Sequence, residues 1–290
     1  MQIATTENTI YTSPDASKIF CYTPSIIVTP TGRLIVSFDL GGEGVKSIEG
    51  HKSSRAGGSR FGQGKIFISD DNGQKWTFVQ NFPFWHARLF TIGNSIYLIG
   101  HAGDICIMKS EDNGESWSDT YFLTHGEKWH SSACNVLFSN GNVYLAMEQR
   151  CRLNEVTGWD VAGLSPTLFR ACVEDNLCLA SSWSRSEKFI YKEVFDGAKL
   201  DFFGIPFYDC ETNKPKEIAT GINNAPLGWL EANVVKFVDK DHIWHTDLKE
   251  VFHLFLRAHT GGVNYAHLFK IEIQDDQSMI PSLEHTPSGQ

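Results

Sequence analysis

The chain lacks several features that would assign it to a common class of protein. Its longest purely apolar runs are only a few residues, such as Ile26–Val28, so none could cross a bilayer as a helix. The N-terminus, Met-Gln-Ile-Ala-Thr-Thr-Glu, shows no export signal, and a native N-terminus would make the protein cytoplasmic. No run of Lys or Arg exceeds two residues and the net charge is −9, so neither nucleic acid nor a membrane is an expected partner.

Cysteine is present but forms no recognisable motif. The seven cysteines include no Cys-x-x-Cys pair, which disfavours a zinc knuckle and a thioredoxin-type site. Most lie in apolar, strand-like segments, so we expect them to be reduced thiols of the core. A stretch with Asp239, Asp241, His242 and His245 matches no standard metal loop and is interpreted as a charged turn, with a metal site as the weaker alternative. No metal or other cofactor is therefore predicted.

Helical periodicity is almost absent, and short apolar or alternating runs separated by Gly, Asn or Asp replace it. Twenty Phe, eight Trp, eight Tyr and 25 Gly in 290 residues are typical of a β-rich chain with many tight turns. Four hairpins are predicted, within residues 25–38, 87–100, 134–147 and 232–256. The third contains Asn140-Gly141, which is the strongest short hairpin signal.

An eight-residue pattern, Ser-x-Asp-x-Gly-x-x-Trp, occurs twice, with every matching position 41 residues apart. The matching residues are Ser69, Asp71, Gly73, Trp76, Ser110, Asp112, Gly114 and Trp117. We expect each Asp to accept hydrogen bonds from its own turn, each Gly to adopt a positive φ, and each Trp to pack between sheets. A third, degenerate copy could end at Trp183. A repeat of about 40 residues spanning four strands is typical of a propeller blade.

The octet resembles the Asp box, or BNR repeat, of the sialidase-like β-propellers. Further segments resemble bacterial proteins of the sialidase family, at Tyr22-Thr-Pro-Ser-Ile, Trp129-His-Ser-Ser-Ala, Ala146-Met-Glu and Gly228-Trp-Leu-Glu-Ala-Asn. The resemblance implies an all-β fold, with one propeller domain over residues 1–290. Such propellers have six blades, so four hairpins predict a propeller that lacks its last one or two blades at the C-terminal end. A closed ring of fewer blades is the alternative.

In a propeller, the residues at the start of each blade's first strand and at the end of its second strand line one common funnel. The start positions are Tyr22–Thr23, Trp85–His86, Trp129–His130 and Leu230–Glu231. The end positions are Asp39, His101, Glu148–Arg150 and Arg257–His259. A funnel lined by His, Glu and Arg suits the binding of a polar or anionic sugar and acid–base chemistry on it.

From these positions we predict two groups of site residues. The catalytic group is Glu231, His130, His86 and Glu148. The substrate-binding group is Arg257, Arg150, Tyr22, Asp39, His101 and His259. Glu231 is the foremost candidate because a carboxylate between two apolar residues needs solvent or a partner, and Arg257 ends an apolar run where a guanidinium needs a carboxylate or ligand. The histidines could instead be core residues, and Glu148 with Arg150 a structural ion pair.

Sialidases hold the substrate carboxylate with three arginines and attack with a tyrosine that a glutamate activates, while an aspartate protonates the leaving group. Glu231 and Arg257 resemble the glutamate and the second arginine. The segment that matches the first arginine's Phe-Arg-Ile-Pro motif reads Cys21-Tyr-Thr-Pro, so Tyr22 replaces the arginine. Because a hydroxyl cannot replace a bidentate Arg–carboxylate contact, we do not expect cleavage of sialic acid itself.

Two functions remain open on this evidence. The first is an exo-acting, sialidase-like glycoside hydrolase, with Glu231 as base or nucleophile partner, Arg257 as anion clamp, and the histidines in acid–base or hydroxyl contacts. The second is a non-catalytic propeller that binds glycan or protein through the same funnel, since fold alone does not decide function. A polysaccharide lyase with His or Tyr chemistry is a further alternative. A carbohydrate is the expected partner of either enzyme.

Overall fold

The computed structural model describes residues 7–54, 61–130, 135–151, 163–190, 228–236, 251–259 and 264–284. Regular structure in these ranges is β-strand, apart from short 3-10 helices at Glu43–Ser47 and Ala180–Ser182. Within the described ranges, no helix has the length and apolar character that a membrane span requires. The chain forms two compact units, of which unit 1 is Met1–Gly126 with Cys178–Ala180 and unit 2 is Glu127–Leu177 with Ser181–Gln290.

Unit 1 contains two antiparallel sheets. Their strands are β1 (Phe20–Val28), β2 (Leu34–Gly41), β3 (Ser53–Ser54), β4 (Phe61–Ser69), β5 (Thr77–Phe82), β6 (Trp85–Ile92), β7 (Ser95–Ala102), β8 (Asp104–Ser110) and β9 (Tyr121–Phe122). Sheet 1 has the order β1-β2-β4-β3, and β5 also pairs with β4. Sheet 2 has the order β6-β7-β8-β9, so each strand pairs with the next one in the chain.

Unit 2 also contains two antiparallel sheets. Their strands are β10 (Trp129–His130), β11 (Val136–Ser139), β12 (Asn142–Arg150), β13 (Leu164–Cys172), β14 (Trp183–Arg185), β15 (Gly228–Val235), β16 (Val251–His259), β17 (Asn264–Ile273) and β18 (Met279–Glu284). Sheet 3 has the order β10-β12-β13-β14, and β11 also pairs with β12. Sheet 4 has the order β15-β16-β17-β18.

The four predicted hairpins correspond to observed strand pairs. Strands β1 and β2, β6 and β7, β11 and β12, and β15 and β16 pair as antiparallel neighbours. The turn of the fourth pair lies outside the described residues. In the third, Asn140 and Gly141 have φ values of +47° and +71°, as a tight hairpin turn with two left-handed residues requires.

One core cluster of each unit lies between its two sheets. In unit 1, Ile35 of sheet 1 and Leu89 of sheet 2 belong to one buried cluster. In unit 2, Leu168 of sheet 3 and Phe252 of sheet 4 belong to another. Strands β2 and β12 bury nearly every residue, since a strand with neighbours on both edges and cover on both faces keeps little contact with water.

The two octets form the turns that their residue types predict. Ser116 N–H donates to Asp112 Oδ1 at 2.9 Å, and Gly114 N–H donates to Ser110 Oγ at 2.9 Å. The equivalent bonds of the first octet are 2.8 and 2.9 Å long. Gly73 and Gly114 have φ values of +82° and +86°, as predicted, and Trp117 packs against the core of unit 1. The octets therefore act as structural turns at the ends of β4 and β8.

The suggested third copy, which ends at Trp183, has a different turn. Trp183 Nε1–H donates to Leu177 O, six residues before it, at 2.8 Å. Trp76 Nε1–H instead donates to Gly73 O, three residues before it, at 3.0 Å. The sequence explains the difference, because Cys178 stands at the position of the octet's Asp and provides no carboxylate to organise the turn.

Arg33 joins the two octet turns, a role that the sequence pattern does not indicate. Its guanidinium forms a bidentate pair with Asp70, with N···O distances of 2.6 and 2.9 Å. The same guanidinium donates to Glu115 Oε1 at 3.2 Å and to Asn113 O at 3.1 Å. The β1–β2 hairpin is thereby tied to the turn after β4 and to the turn after β8.

The expectation of core cysteines is only partly met among the described residues. Cys106 and Cys178 are buried, Cys151 and Cys172 are half-buried, and Cys21 is exposed. The reason is topological: β1 is the first strand in the order of sheet 1, and its residues around Cys21 are exposed.

Two glycines of β4 make room for aromatic rings. A Cβ atom on Gly62 would collide with the indole of Trp85, and one on Gly64 would collide with the ring of Phe82.

Gly64→Ala is therefore expected to lower the free energy of unfolding by about 2 kcal/mol, the range found for overpacked cores. Gly126→Ala is the matched control, because its φ is +72° but the space around it is open. Its left-handed backbone alone should cost about 1 kcal/mol. If urea unfolding showed that Gly64→Ala and Gly126→Ala lose the same free energy of unfolding, the steric account would be contradicted.

Candidate functional site

Three sheets start with the same backbone distortion. Strands β1, β6 and β15 each contain a register shift close to their first residues. Within each shift one non-glycine residue has a positive φ, namely Thr23 at +48°, His86 at +52° and Glu231 at +62°. Left-handed backbone costs such residues about 1–2 kcal/mol, and a bulge redirects a side chain. The distortion thus places two predicted catalytic residues, His86 and Glu231, at equivalent positions in two sheets.

The strand register confirms that the predicted start and end positions are neighbours within each sheet. The facing pairs are Tyr22 with Asp39, Trp85 with His101, His130 with Glu148, and Leu230 with Arg257. A hairpin brings its first and last residues together, so this part of the site follows from local sequence.

In unit 2 the carboxylate of Glu148 joins two sheets. Its Oε2 lies 3.0 Å from His130 Nδ1 in sheet 3, and its Oε1 accepts the N–H of Ala232 in sheet 4 at 2.8 Å. Glu148 is only 1 % exposed, so both contacts are shielded from water. The contact sets the orientation of the His130 ring, and an ionised carboxylate, which can only accept, pairs with an imidazole that carries its proton on Nδ1.

Glu231, the residue before Ala232, forms an ion pair with Arg257. Arg257 Nη2 and Glu231 Oε1 are 2.8 Å apart, and the two side chains are 31 % and 42 % exposed. The pair is therefore open to solvent on one side, unlike Glu148. The structure thus gathers four predicted site residues in unit 2: His130 and Glu148 are in direct contact, as are Glu231 and Arg257, and Ala232 connects the two pairs.

For two other predicted site residues of unit 2, Arg150 and His259, the structure gives little information on the role of the side chain. Arg150 is half-buried at the end of β12, and its backbone N–H donates to Lys128 O at 2.7 Å. His259 ends β16, and its side chain lies outside the described part of the structure.

The possible metal site in the stretch from 239 to 245 also lies outside the described residues. Among the described residues, no group of three or more His, Cys, Asp or Glu side chains is arranged to hold a metal ion.

In unit 1 the predicted residue Asp39 is fully buried. Burial raises the pKa of its carboxyl to about 7, while the backbone N–H groups of His86 and Ala87 and the charge of Arg88 oppose that rise. Neither carboxyl oxygen makes a full hydrogen bond to another described residue. The side chain does not reach solvent, so its predicted contact with substrate stays a prediction.

His86 and His101 form a pair in sheet 2. His86 Nδ1 and His101 Nε2 are 3.3 Å apart, and the ring centres are 5.3 Å apart. His101 is buried at 2 % exposure and His86 is half-buried.

Tyr22, another predicted residue of unit 1, is 44 % exposed. Its ring lies against Gly41, where an added Cβ atom would be 2.7 Å from the Tyr22 ring. Unit 1 therefore contains a second cluster of predicted site residues.

Asparagines that the sequence pattern does not single out connect β11 of sheet 3 with β15 of sheet 4. Asn135 Nδ2–H donates to Val234 O at 2.7 Å, and Val234 N–H donates to Asn135 Oδ1 at 2.9 Å. The N–H of Asn135 donates to Asn233 Oδ1 at 2.9 Å. These bonds hold the strand of Glu231 beside the strand that follows His130. The only sequence signal is the shared dipeptide Asn-Val at 135–136 and 233–234.

Comparisons with known proteins were informative at the level of structure. No protein-family model and no curated protein sequence matches the chain. A solved structure of an α-L-arabinofuranosidase from Lactobacillus brevis matches with a TM-score of 0.50 and 12 % identity, over 93 % of this chain and 80 % of that one. A protein of unknown function from Dyadobacter fermentans matches with a TM-score of 0.51 and 14 % identity, over 92 % of this chain and 69 % of that one.

A mutant of NanB sialidase from Streptococcus pneumoniae also matches, with a TM-score of 0.40 and 13 % identity, over 83 % of this chain and 28 % of that one. At such identities the likenesses bear on the fold alone. The structure contains four antiparallel sheets, each built from strands that are close in sequence. The chain therefore has an all-β fold of the β-propeller type.

Proposed function

We propose that the protein is a glycoside hydrolase that acts on a polar or anionic sugar at the His130, Glu148, Glu231 and Arg257 cluster of unit 2. The observation that carries the proposal is the contrast between the two glutamates. Glu148 is buried and has both oxygens engaged, whereas Glu231 is partly exposed and is attached to a backbone that Glu148 holds. A substrate-accessible carboxylate on a fixed backbone is what acid–base or nucleophilic catalysis requires.

The residues of this cluster have distinct roles in the proposal. Glu231 is the catalytic carboxylate. Arg257 pairs with it and binds an anionic group of the sugar, as a guanidinium does for carboxylates. His130 contacts a sugar hydroxyl or transfers a proton, and Glu148 orients its ring through Nδ1. In the sequence, Tyr22 replaces the first arginine of the sialidase motif, so the proposed substrate is a uronate- or rhamnose-containing glycan rather than sialic acid.

The proposal is tested with purified protein on a panel of para-nitrophenyl glycosides and natural oligosaccharides. Glu231→Gln should lower kcat/KM by about 10²–10⁴-fold while leaving the fold intact, since positioned acid–base groups contribute that much. Glu272→Gln is the matched control, because Glu272 also forms an ion pair, with Lys270 on β17 of the same sheet. Unchanged turnover in Glu231→Gln would remove the assignment.

One observation favours the non-catalytic alternative. Glu231 and Arg257 already neutralise each other at 2.8 Å, as in an ion pair that only shapes a binding surface. The same panel separates the functions. Glycan binding without release of reducing sugar would favour a binding protein. An unsaturated product, detected by its ultraviolet absorbance, would favour a lyase.

A further inference from the structure

The peptide group between Glu231 and Ala232 lies inside the bulge of β15. Between one paired position and the next, the register advances by three residues on β15, from Leu230 to Asn233, but by two on β16. Glu231 and Ala232 therefore stand opposite one residue of the partner strand, as in a β-bulge. Ala232 is fully buried, and buried backbone groups that leave the ladder need other hydrogen-bond partners.

Two side chains hold this peptide group, one at each end. Glu148 Oε1 accepts the N–H of Ala232 at 2.8 Å, and Asn233 Nδ2–H donates to the carbonyl oxygen of Glu231 at 3.1 Å. With both ends bonded, the peptide plane cannot rotate without breaking a hydrogen bond. Because that rotation is the ψ angle of Glu231, the two bonds stabilise the left-handed backbone from which the Glu231 side chain projects.

The neighbours of Asn233 fix the orientation of its amide. Its Oδ1 accepts the backbone N–H of Asn135 at 2.9 Å, and a backbone N–H can only donate. Its Nδ2 therefore lies on the other side, against the Glu231 carbonyl, which can only accept. A flipped amide would place donor against donor and acceptor against acceptor. Asparagine satisfies both neighbours at once, whereas an ionised aspartate could satisfy only Asn135.

We propose that Asn233 is a positioning residue for Glu231, acting through the peptide group between Glu231 and Ala232. The inference deepens the proposed function and rests on it, since Glu231 is the catalytic carboxylate there. Asn233 acts on the backbone of Glu231 and not on the sugar. That backbone sets where the carboxylate lies beside Arg257 Nη2, 2.8 Å away, and a displacement of about 1 Å at a reacting group can cost about 10²-fold in rate.

The first test is the kinetics of Asn233→Asp on the glycoside panel. Aspartate keeps an acceptor for the Asn135 N–H and loses the donor to the Glu231 carbonyl. We expect kcat to fall by about 10²-fold while KM stays nearly unchanged, because the misplaced group is the one that reacts and not the one that binds the sugar.

Asn142→Asp is the matched control. Asn142 Nδ2–H also donates to the carbonyl oxygen of the residue two positions before it, Asn140, at 2.9 Å. Asn140 is left-handed as well, with a φ of +47°. This bond lies at the hairpin turn between β11 and β12 of the same unit and holds no predicted site residue. Asn142→Asp should therefore leave kcat unchanged.

The second test measures the positioning without turnover, by amide hydrogen exchange in the full chain. In Asn233→Asp, the protection of the Ala232 N–H should fall about tenfold more than that of the Val234 N–H, as the loss of one hydrogen bond predicts. The Val234 N–H is the internal reference because it donates to Asn135 Oδ1 instead. A general loss of stability would lower the protection of both amides equally, and Asn142→Asp should not lower that of Ala232 selectively.

Equal protection of the two amides in Asn233→Asp would overturn the proposal. So would an unchanged kcat in Asn233→Asp when Glu231→Gln loses turnover. If Asn233→Asp does not fold, Asn233→Ser replaces it with the same expected results, since a hydroxyl adds no charge and cannot fill both roles of the amide. Absence of turnover in the wild type would count against the glycosidase assignment, whereas hydrogen exchange would still decide whether Asn233 holds the backbone of Glu231.

Discussion

Replacing Glu148 with alanine is expected to lower the free energy of unfolding by about 3–5 kcal/mol, the largest loss among the substitutions considered. The carboxylate is buried and is bonded at Oε2 to His130 and at Oε1 to the N–H of Ala232. Its removal leaves a buried imidazole nitrogen and a buried backbone N–H without an acceptor, and each such group is costly when water cannot reach it. Urea titration of the full chain measures the loss.

Two further variants separate the causes of that loss. Glu148→Gln keeps an oxygen for the Ala232 N–H but removes the charge, so we expect it to cost about half as much as the alanine variant. Glu272→Ala breaks the ion pair with Lys270, whose side chains are 37 % and 30 % exposed, and should cost less than about 1 kcal/mol. A loss in Glu148→Ala as small as that in Glu272→Ala would show that Glu148 does not join the two sheets.

Stability should also depend on pH through Asp39. The pKa of its carboxyl rises from an ordinary value of 3.8 to about 7 in the folded protein. Between these values the folded state keeps a proton that the unfolded state has released. Asp39 therefore contributes most stability below about pH 4, and that contribution is lost as the pH rises through about 7. The difference across this range is on the order of 4 kcal/mol.

Asp39→Asn removes this dependence because an amide does not titrate. Urea titrations at about pH 4 and about pH 8 should show that the wild type loses more stability than the variant as the pH rises. Asp104→Asn is the control, since Asp104 lies in the same unit and accepts hydrogen bonds from Thr124 and Gly126. Parallel pH profiles for the wild type and Asp39→Asn would mean that the carboxyl is ionised in the folded protein throughout the range.

The predictable parts of the fold and of the site are those set by short stretches of chain. The hairpin turn at Asn140-Gly141 and the octet turns at Asp71 and Asp112 depend on residues within a few positions of each other. Once a hairpin forms, its register also brings His130 beside Glu148. The alternation and turn signals of the sequence were enough to predict these neighbours.

Contacts between sheets were not predictable in the same way. Nothing near Glu148 in the sequence indicates that it accepts the N–H of Ala232, 84 residues later. Asn135 and Asn233 looked like ordinary polar residues beside strands, yet they connect β11 and β15. The exposure of Asp39 was also undetermined, because a carboxyl at a strand end is solvated or buried according to which strand packs over it.

The amino-acid sequence by itself determined the strand content, the hairpins and the paired octet turns, because each depends on backbone preferences and side-chain hydrogen bonds over fewer than about ten residues. Only the tertiary structure decided which acidic residue is exposed at Glu231 and which are buried at Glu148 and Asp39. The physical reason is that burial and the raised pKa of Asp39 result from the packing of one sheet on the next, and the partners in that packing are distant in sequence.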